Sequence, residues 1–449
     1  MSRRLFVVSL TFAFLAFAAP AAWSQERPSA IVRATISLAD WGLLSAREIR
    51  SGTIAIIHDS TGDRLTIESL LPSPEPAPKP ARSPEMPPKS VSAGDTIAHR
   101  ATWVWNTAAL LQSDSLRRSL AAFLRSDRFE RIFLQLPEST IDSTGTRSLA
   151  LTALPELVRM IRSSGAEVAA LDGGADYARP AAHGTAVAIA NAVVEYNRRV
   201  PSESRFDALH LDVEPYLLPG FGSVRRKEIV KQYLDLFASV RSACRRDSLP
   251  LGADAPFWFD DEALSDDRTI LDRLLPMVDE ICVMSYRTRA GGEDGVIRFA
   301  SGGVARASSA GKRIWVAVET TPLPDEHVVT VAGAPRDEWP QPKPGVSIVV
   351  MCDRNDSADV VFAPSDRIDE VKRLPVIAAG ERRIAVWERS YLSSVPADRI
   401  TFARRNKAEV RKVAAEVDEA FRGIPGYRGV AVHHWESYRC LPSGGPQDP

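Results

Sequence analysis

From residue 97 onward the chain repeats one pattern eight times: a short apolar run, then a longer amphipathic stretch. The runs are 101–107 (ATWVWNT), 131–137 (RIFLQLP), 167–173 (EVAALDG), 208–215 (ALHLDVEP), 249–257 (LPLGADAPF), 280–287 (EICVMSYR), 313–321 (RIWVAVETT) and 429–436 (GVAVHHWE). Parallel strands covered on both faces read as such runs, because neither face meets water. The stretches between them, among them 113–126, 150–164, 183–199, 224–246 and 402–422, space apolar residues by three and four, the helical period. No glycine-rich phosphate loop follows any run. Eight strand–helix units over residues 96–442 therefore predict an α/β fold of the (β/α)₈ barrel type rather than a doubly wound sheet. One unit is oversized. Residues 323–400 carry proline-rich turns and then the strand-like VSIVVMCD, ADVVFA and RRIAVWERS, an insertion subdomain after the seventh strand. Without it the barrel has about the usual ~250 residues.

The chain before the barrel divides in three. Arg3 and Arg4 precede an apolar run, Leu5 to Ala19, and Ala22-Trp23-Ser24 offers small residues for cleavage. That order predicts a signal peptide over 1–24, cleaved near Ser24, and an exported protein, periplasmic or extracellular. Residues 25–71 read as a small β-rich segment, with a hairpin in GTIAIIHDSTGDRLTIESLL. Residues 72–95 hold a run of prolines and read as a stiff linker. No later stretch is apolar enough to span a bilayer, so no integral membrane segment is expected after cleavage.

A formal net charge of −1 gives no bulk attraction to nucleic acid or anionic lipid. Export permits disulfides, and the four cysteines, Cys244, Cys282, Cys352 and Cys440, allow one or two bridges. Their spacing fits no zinc site. His433 and His434 are adjacent, so a strand points them to opposite faces, and no HExxH spacing occurs. The reading assigns no cofactor and no metal.

The chemistry concentrates at 206–216, FDALHLDVEPY. Period two places Leu209, Leu211 and Val213 on one face and His210, Asp212 and Glu214 on the other. Ionisable ladders inside a strand are costly unless paired or used. A carboxylate at the C-terminal end of a barrel strand is where catalytic acids sit. Packing alone gives a buried polar network instead; two inward carboxylates are an expensive way to hold a fold, which favours function.

This segment resembles the fourth-strand signature of the family-18 glycoside hydrolases, chitinases and their relatives, whose pattern is DGxDxDxE. Asp207 matches the first Asp, Asp212 the third and Glu214 the catalytic acid; Ala208 replaces the Gly, and His210 the middle Asp. LDGG at 171–174 is similar to the third-strand SxGG, with Gly173 and Gly174 as a turn that lets substrate approach. VDEICVMSYR at 278–287 resembles the sixth strand, where Met284 and Tyr286 line the site and Arg287 replaces an Asp or Asn. GYRGVAVHHWESY at 426–438 resembles the eighth strand, with His433 in place of the usual Trp and Trp435 two residues on. The likeness covers roughly 97–442, and some family-18 enzymes carry an insertion where 323–400 lies. It implies a carbohydrate partner and hydrolysis of an N-acetylhexosamine glycan. Glu214 is the general acid/base, Asp212 orients the 2-acetamido group, and Tyr286 hydrogen-bonds it. The acetamide oxygen itself is the nucleophile. At His210, hydrogen bonding to Asp212 and a neutral core histidine are both open.

Two alternatives stand beside this. Glu319 ends the seventh strand, and a large class of retaining glycosidases pairs an acid/base on strand four with a nucleophile on strand seven. Glu214 and Glu319 occupy those places, although Val213 stands where that class has Asn. A rim residue bound to an arginine is the plain reading of Glu319. The other alternative is a chitinase-like protein that binds sugar without cutting it. Trp103, Trp105, Trp258, Trp315 and Trp435 lie on or beside strands; Trp315 reads as core, Trp258 and Trp435 as platforms for stacking on sugar.

Overall fold

Eight parallel strands close into a barrel in the computed structural model of the chain. They are β1 (Arg100–Val104), β2 (Phe129–Gln135), β3 (Glu167–Gly173), β4 (Ala208–Asp212), β5 (Leu251–Pro256), β6 (Glu280–Met284), β7 (Arg313–Glu319) and β8 (Tyr427–His433). Each pairs with its neighbours in sequence, and β8 closes on β1. The structure describes residues 99–137, 140–141, 147–218, 221, 226–261, 268–323, 326–332, 338–344, 346–354, 357–374, 384–387 and 389–444, and the backbone of four strands before residue 71. The expected signal peptide and proline-rich linker lie outside the described residues.

Every residue of β4, β5 and β6 is buried, as the unbroken apolar runs require. Helices Asp114–Asp127, Ala153–Arg162, Pro180–Arg199, Arg226–Arg245, Val296–Ser309 and Lys407–Phe421 cover the barrel with their apolar faces. In Ala153–Arg162 that face is Leu154, Leu157, Val158 and Ile161, all fully buried. Each such side chain contributes ~1.5–3 kcal/mol by leaving water.

The barrel interior changes character along its axis. Near the N-terminal ends of the strands, Arg131 on β2 donates to Glu280 on β6 at 2.8 Å and to Glu167 on β3 at 3.1 Å. Arg313 on β7 reaches the second oxygen of Glu280 at 3.4 Å. Burial opposes the Glu280 charge, but Arg131, Arg313 and His210 hold its carboxyl below the usual range. Above this ionic floor Phe133 packs on the His210 ring, with centroids 4.2 Å apart. Polar side chains return at the C-terminal ends.

The insertion brings a second core of Ile348, Val350, Val361, Ala363, Ile368, Val371, Leu374 and Val386. Its strands do not stand alone. Glu326–Ala332 pairs in parallel with Arg64–Leu70 and antiparallel with Arg389–Val395, and Ser357–Pro364 pairs with Val32–Ser37. The N-terminal hairpin, Ala55–His58 on Arg64–Leu70, thus extends a sheet of the insertion. Cys244, Cys282 and Cys440 are free thiols, so the bridges that export allows are not formed among them. Cys282 points into the barrel and Cys244 lies on the buried face of a helix. Among the described residues no helix is long and apolar enough to cross a membrane.

Candidate active site

Strand β4 ends at Asp212, and Glu214 lies just beyond it, at the start of the short turn Pro215–Leu217. The Glu214 side chain is nearly buried and accepts a hydrogen bond from the Tyr216 hydroxyl. Tyr216 is fixed in turn by edge contacts with Trp258 and Phe221, with ring centroids 5.6 and 6.4 Å away. Trp258 is only 2% exposed, so it backs the acid's hydrogen-bonding partner instead of standing at the rim as expected.

Asp212 is buried, and among the described residues its Oδ1 has no hydrogen-bond partner. Burial pushes its carboxyl well above the usual range, and the negative Asp254 and Glu214 push it further. Each of these influences opposes the charged form of the carboxyl. The glycine pair of β3 serves this strand directly. A Cβ at Gly173 would lie 1.9 Å from the Asp212 carbonyl oxygen, and the Gly174 amide donates to that oxygen at 2.8 Å. What approaches these glycines is the backbone of Asp212, a correction to the expectation of a substrate turn.

His210 is fully buried, and its Nε2 lies 3.0 Å from Oδ1 of Asp254 on β5. The pair falls outside hydrogen-bond geometry, so this is a close contact and not a hydrogen bond. His210 lies in the barrel core, and its ring faces Asp254, which corrects the expected hydrogen bond to Asp212. Asp254 was missed in the sequence. Its one signal was a carboxylate on the same face as Gly252 and Pro256 within an apolar run.

Tyr286, two residues past β6, is fully buried. Burial first, then the charges of Glu319, Asp254 and Asp212, push its phenol upward, so it remains a donor. Met284 ends β6 and is buried beside it. Arg287 turns away: it donates to Asp294 at 2.7 Å and to the Tyr286 carbonyl, and stacks on Phe299 at 4.2 Å.

On the opposite arc, Glu319 accepts from the amides of Thr320 and Thr321 at 2.7 and 2.6 Å and from His433 Nδ1 at 2.9 Å. The Trp105 indole donates to His433 Nε2 at 3.0 Å. An indole only donates, so Nε2 is unprotonated and Nδ1 carries the proton: His433 is neutral and oriented. Glu319 is fully buried and bound to a histidine, not to an arginine at the rim. The His433 ring lies 6.1 Å from that of Tyr286, which brings the two arcs together. Trp435 opens the short helix Trp435–Tyr438 after β8 and is buried under Arg439, so it is not a strand residue.

Asp207 is at the wrong end. It precedes β4, is held by Arg162 and accepts from the Val168 amide at 2.7 Å. It lines a cavity of about 450 Å³ with Asn197, Arg205 and Asp247, at the N-terminal ends of the strands. Its place is that of a strand anchor, a correction to its expected contact with substrate. Among the described residues no cluster of three or more His, Cys, Asp and Glu side chains is arranged to hold a metal ion.

No protein-family model matches the sequence, and no curated protein matches it. Solved structures do resemble it. One is a chitinase from Chromobacterium violaceum, at 12% identity and a TM-score of 0.37, covering 76% of this chain and 95% of that one. A chitinase from Bacteroides thetaiotaomicron has 10% identity and a TM-score of 0.39, covering 76% and 90%. The spore cortex-lytic enzyme of Bacillus cereus has 10% identity and a TM-score of 0.38, covering 77% and 72%.

Proposed function

We propose that this chain is an exported glycoside hydrolase that cleaves N-acetylhexosamine-containing glycans, with Glu214 as general acid/base. The observation that carries the reading is Glu214 just past the end of β4, beside an inward Asp212 in a barrel that Tyr286 also enters. Glu214 protonates the glycosidic oxygen as the bond to the anomeric carbon breaks. The acetamide oxygen of the same sugar forms the new bond to that carbon, so no enzyme nucleophile is needed. Glu214 then takes a proton from the water that opens the cyclic intermediate. Asp212 and Tyr286 hold the acetamide. The alternative nucleophile, Glu319, already accepts from two amides and His433, which supports giving that role to the substrate.

The test is a screen of the purified protein against N-acetylhexosamine polymers and neutral glycans, with Glu214→Gln alongside. Removing the proton donor should lower the rate by ~10²–10⁴-fold. Equal rates for the two proteins would remove Glu214 from its role. Binding without cleavage by both would make the chain a carbohydrate-binding protein.

A further inference from the structure

Tyr216 follows Glu214 by two residues, and its hydroxyl donates to Oε1 of that carboxyl. The link between them is stiff. Pro215 opens the turn Pro215–Leu217, and the carbonyls of Glu214 and Pro215 accept from the Leu217 and Leu218 amides at 3.1 Å each. The tyrosine is 3% exposed and stands among three rings that meet it edge to face. Trp258 and Phe259, from the turn Phe257–Asp260 that follows β5, lie 5.6 and 6.5 Å from it, at interplanar angles of 69° and 87°. Phe221 lies 6.4 Å away at 76°. These rings hold one another. Trp258 packs on Phe259 at 4.8 Å and on Phe221 at 6.0 Å. Phe259 packs on Tyr233 of helix Arg226–Arg245 at 5.9 Å, and the Arg226 guanidinium covers Phe221 at 4.9 Å. A phenol walled in by buried rings can point its hydroxyl in one direction only.

We propose that Tyr216 is a positioning residue of this site: it holds Oε1 of Glu214 and so fixes the direction in which that carboxyl presents its proton to the leaving oxygen. The inference deepens the hydrolase reading and rests on it for its consequence in catalysis. A glutamate side chain turns about several bonds, and a general acid works only when its proton lies within hydrogen-bond reach of the oxygen it serves. A misplacement of ~1 Å can cost ~10²-fold in rate. The proposal also gives Trp258, Phe221 and Phe259 a use at the site, as the wall that aims the tyrosine. A tyrosine that merely fills this space would need its ring and not its hydroxyl, and that difference can be measured.

The test uses the full chain and Tyr216→Phe, which removes one oxygen and keeps the ring. On 4-methylumbelliferyl di-N-acetylchitobioside kcat should fall by ~10- to 100-fold, the worth of a hydrogen bond to a carboxylate. KM should stay the same, because no contact with the bound substrate is lost. An unchanged kcat in a folded Tyr216→Phe protein, or a loss confined to KM, would overturn the proposal. A second readout needs no activity and so separates this proposal from the hydrolase reading. Tyr216→Phe and Glu214→Ala should be non-additive in the unfolding equilibrium by ~2- to 100-fold, as for residues in contact; simple additivity would overturn the proposal. Coupling in a protein that cuts no glycan would sink the hydrolase reading and leave the pairing of Tyr216 with Glu214 standing. If Tyr216→Phe does not fold, ring-labelled tyrosine decides. Glu214→Ala should then shift the hydroxyl-bearing carbon of at least one of the eight tyrosines, and eight unmoved resonances would overturn the proposal.

Discussion

At the scale of single residues, the raised carboxyl of Asp212 sets a direction for stability against pH. The native chain keeps this proton over a range where the unfolded chain has lost it. Stability from this group is therefore complete below the ordinary aspartate range and falls as pH rises from there toward the raised native value. Asp212→Asn carries no charge to bury, so at neutral pH it should unfold at higher denaturant than the parent. The difference should vanish in acid, and a variant less stable at neutral pH would refute this account of Asp212. The same residue shows what was legible in the sequence. Period two placed His210, Asp212 and Glu214 on one face, because alternation is a property of the strand alone. Asp254 carried no such mark: a lone carboxylate in GADAPF is informative only once β4 lies beside it. Asp207 was misread for a related reason. A motif match ignores where the strand begins, and β4 begins at Ala208.

At the scale of elements, the interior is shaped as much by missing side chains as by present ones. Gly252 faces the His210 ring, and Gly252→Ala would force a Cβ to within 2.4 Å of Nδ1 in a fully buried site. Overpacking of this kind costs ~1–3 kcal/mol, read as a lower denaturant midpoint at unchanged slope. An unchanged midpoint would show that the imidazole is free to move. The eight strands were readable because burial on both faces leaves only apolar residues to choose from. Helix Val296–Ser309 carries Gly302 and Gly303 inside its pattern. The structure explains them: a Cβ at Gly302 would lie 1.7 Å from a carboxylate oxygen of Asp260, and one at Gly303 would lie 3.0 Å from Val283. These glycines let β5 and β6 elements approach the helix, at a helical propensity cost of roughly 1 kcal/mol each.

At the scale of the whole molecule, two stretches that read as separate additions share their sheets. Strand Arg64–Leu70 lies beside Glu326–Ala332, and Val32–Ser37 beside Ser357–Pro364. Pairing across some 260 to 330 positions leaves no local trace in a single sequence, which is why the hairpin was legible and its partner was not. The insertion departs from the end of β7 and returns at Thr401, which bridges back to Glu319. The excursion thus begins and ends at the face where Glu214, Asp212, Tyr286, Glu319 and His433 meet. What that face does is tested most directly by one comparison: hydrolysis of a chito-oligosaccharide and of its fully deacetylated counterpart, by the parent protein and by Glu214→Gln. A substrate that supplies its own nucleophile must carry the 2-acetamido group. The account therefore expects cleavage of the acetylated chain alone, and its loss with the glutamate. Comparable cleavage of both chains would contradict it.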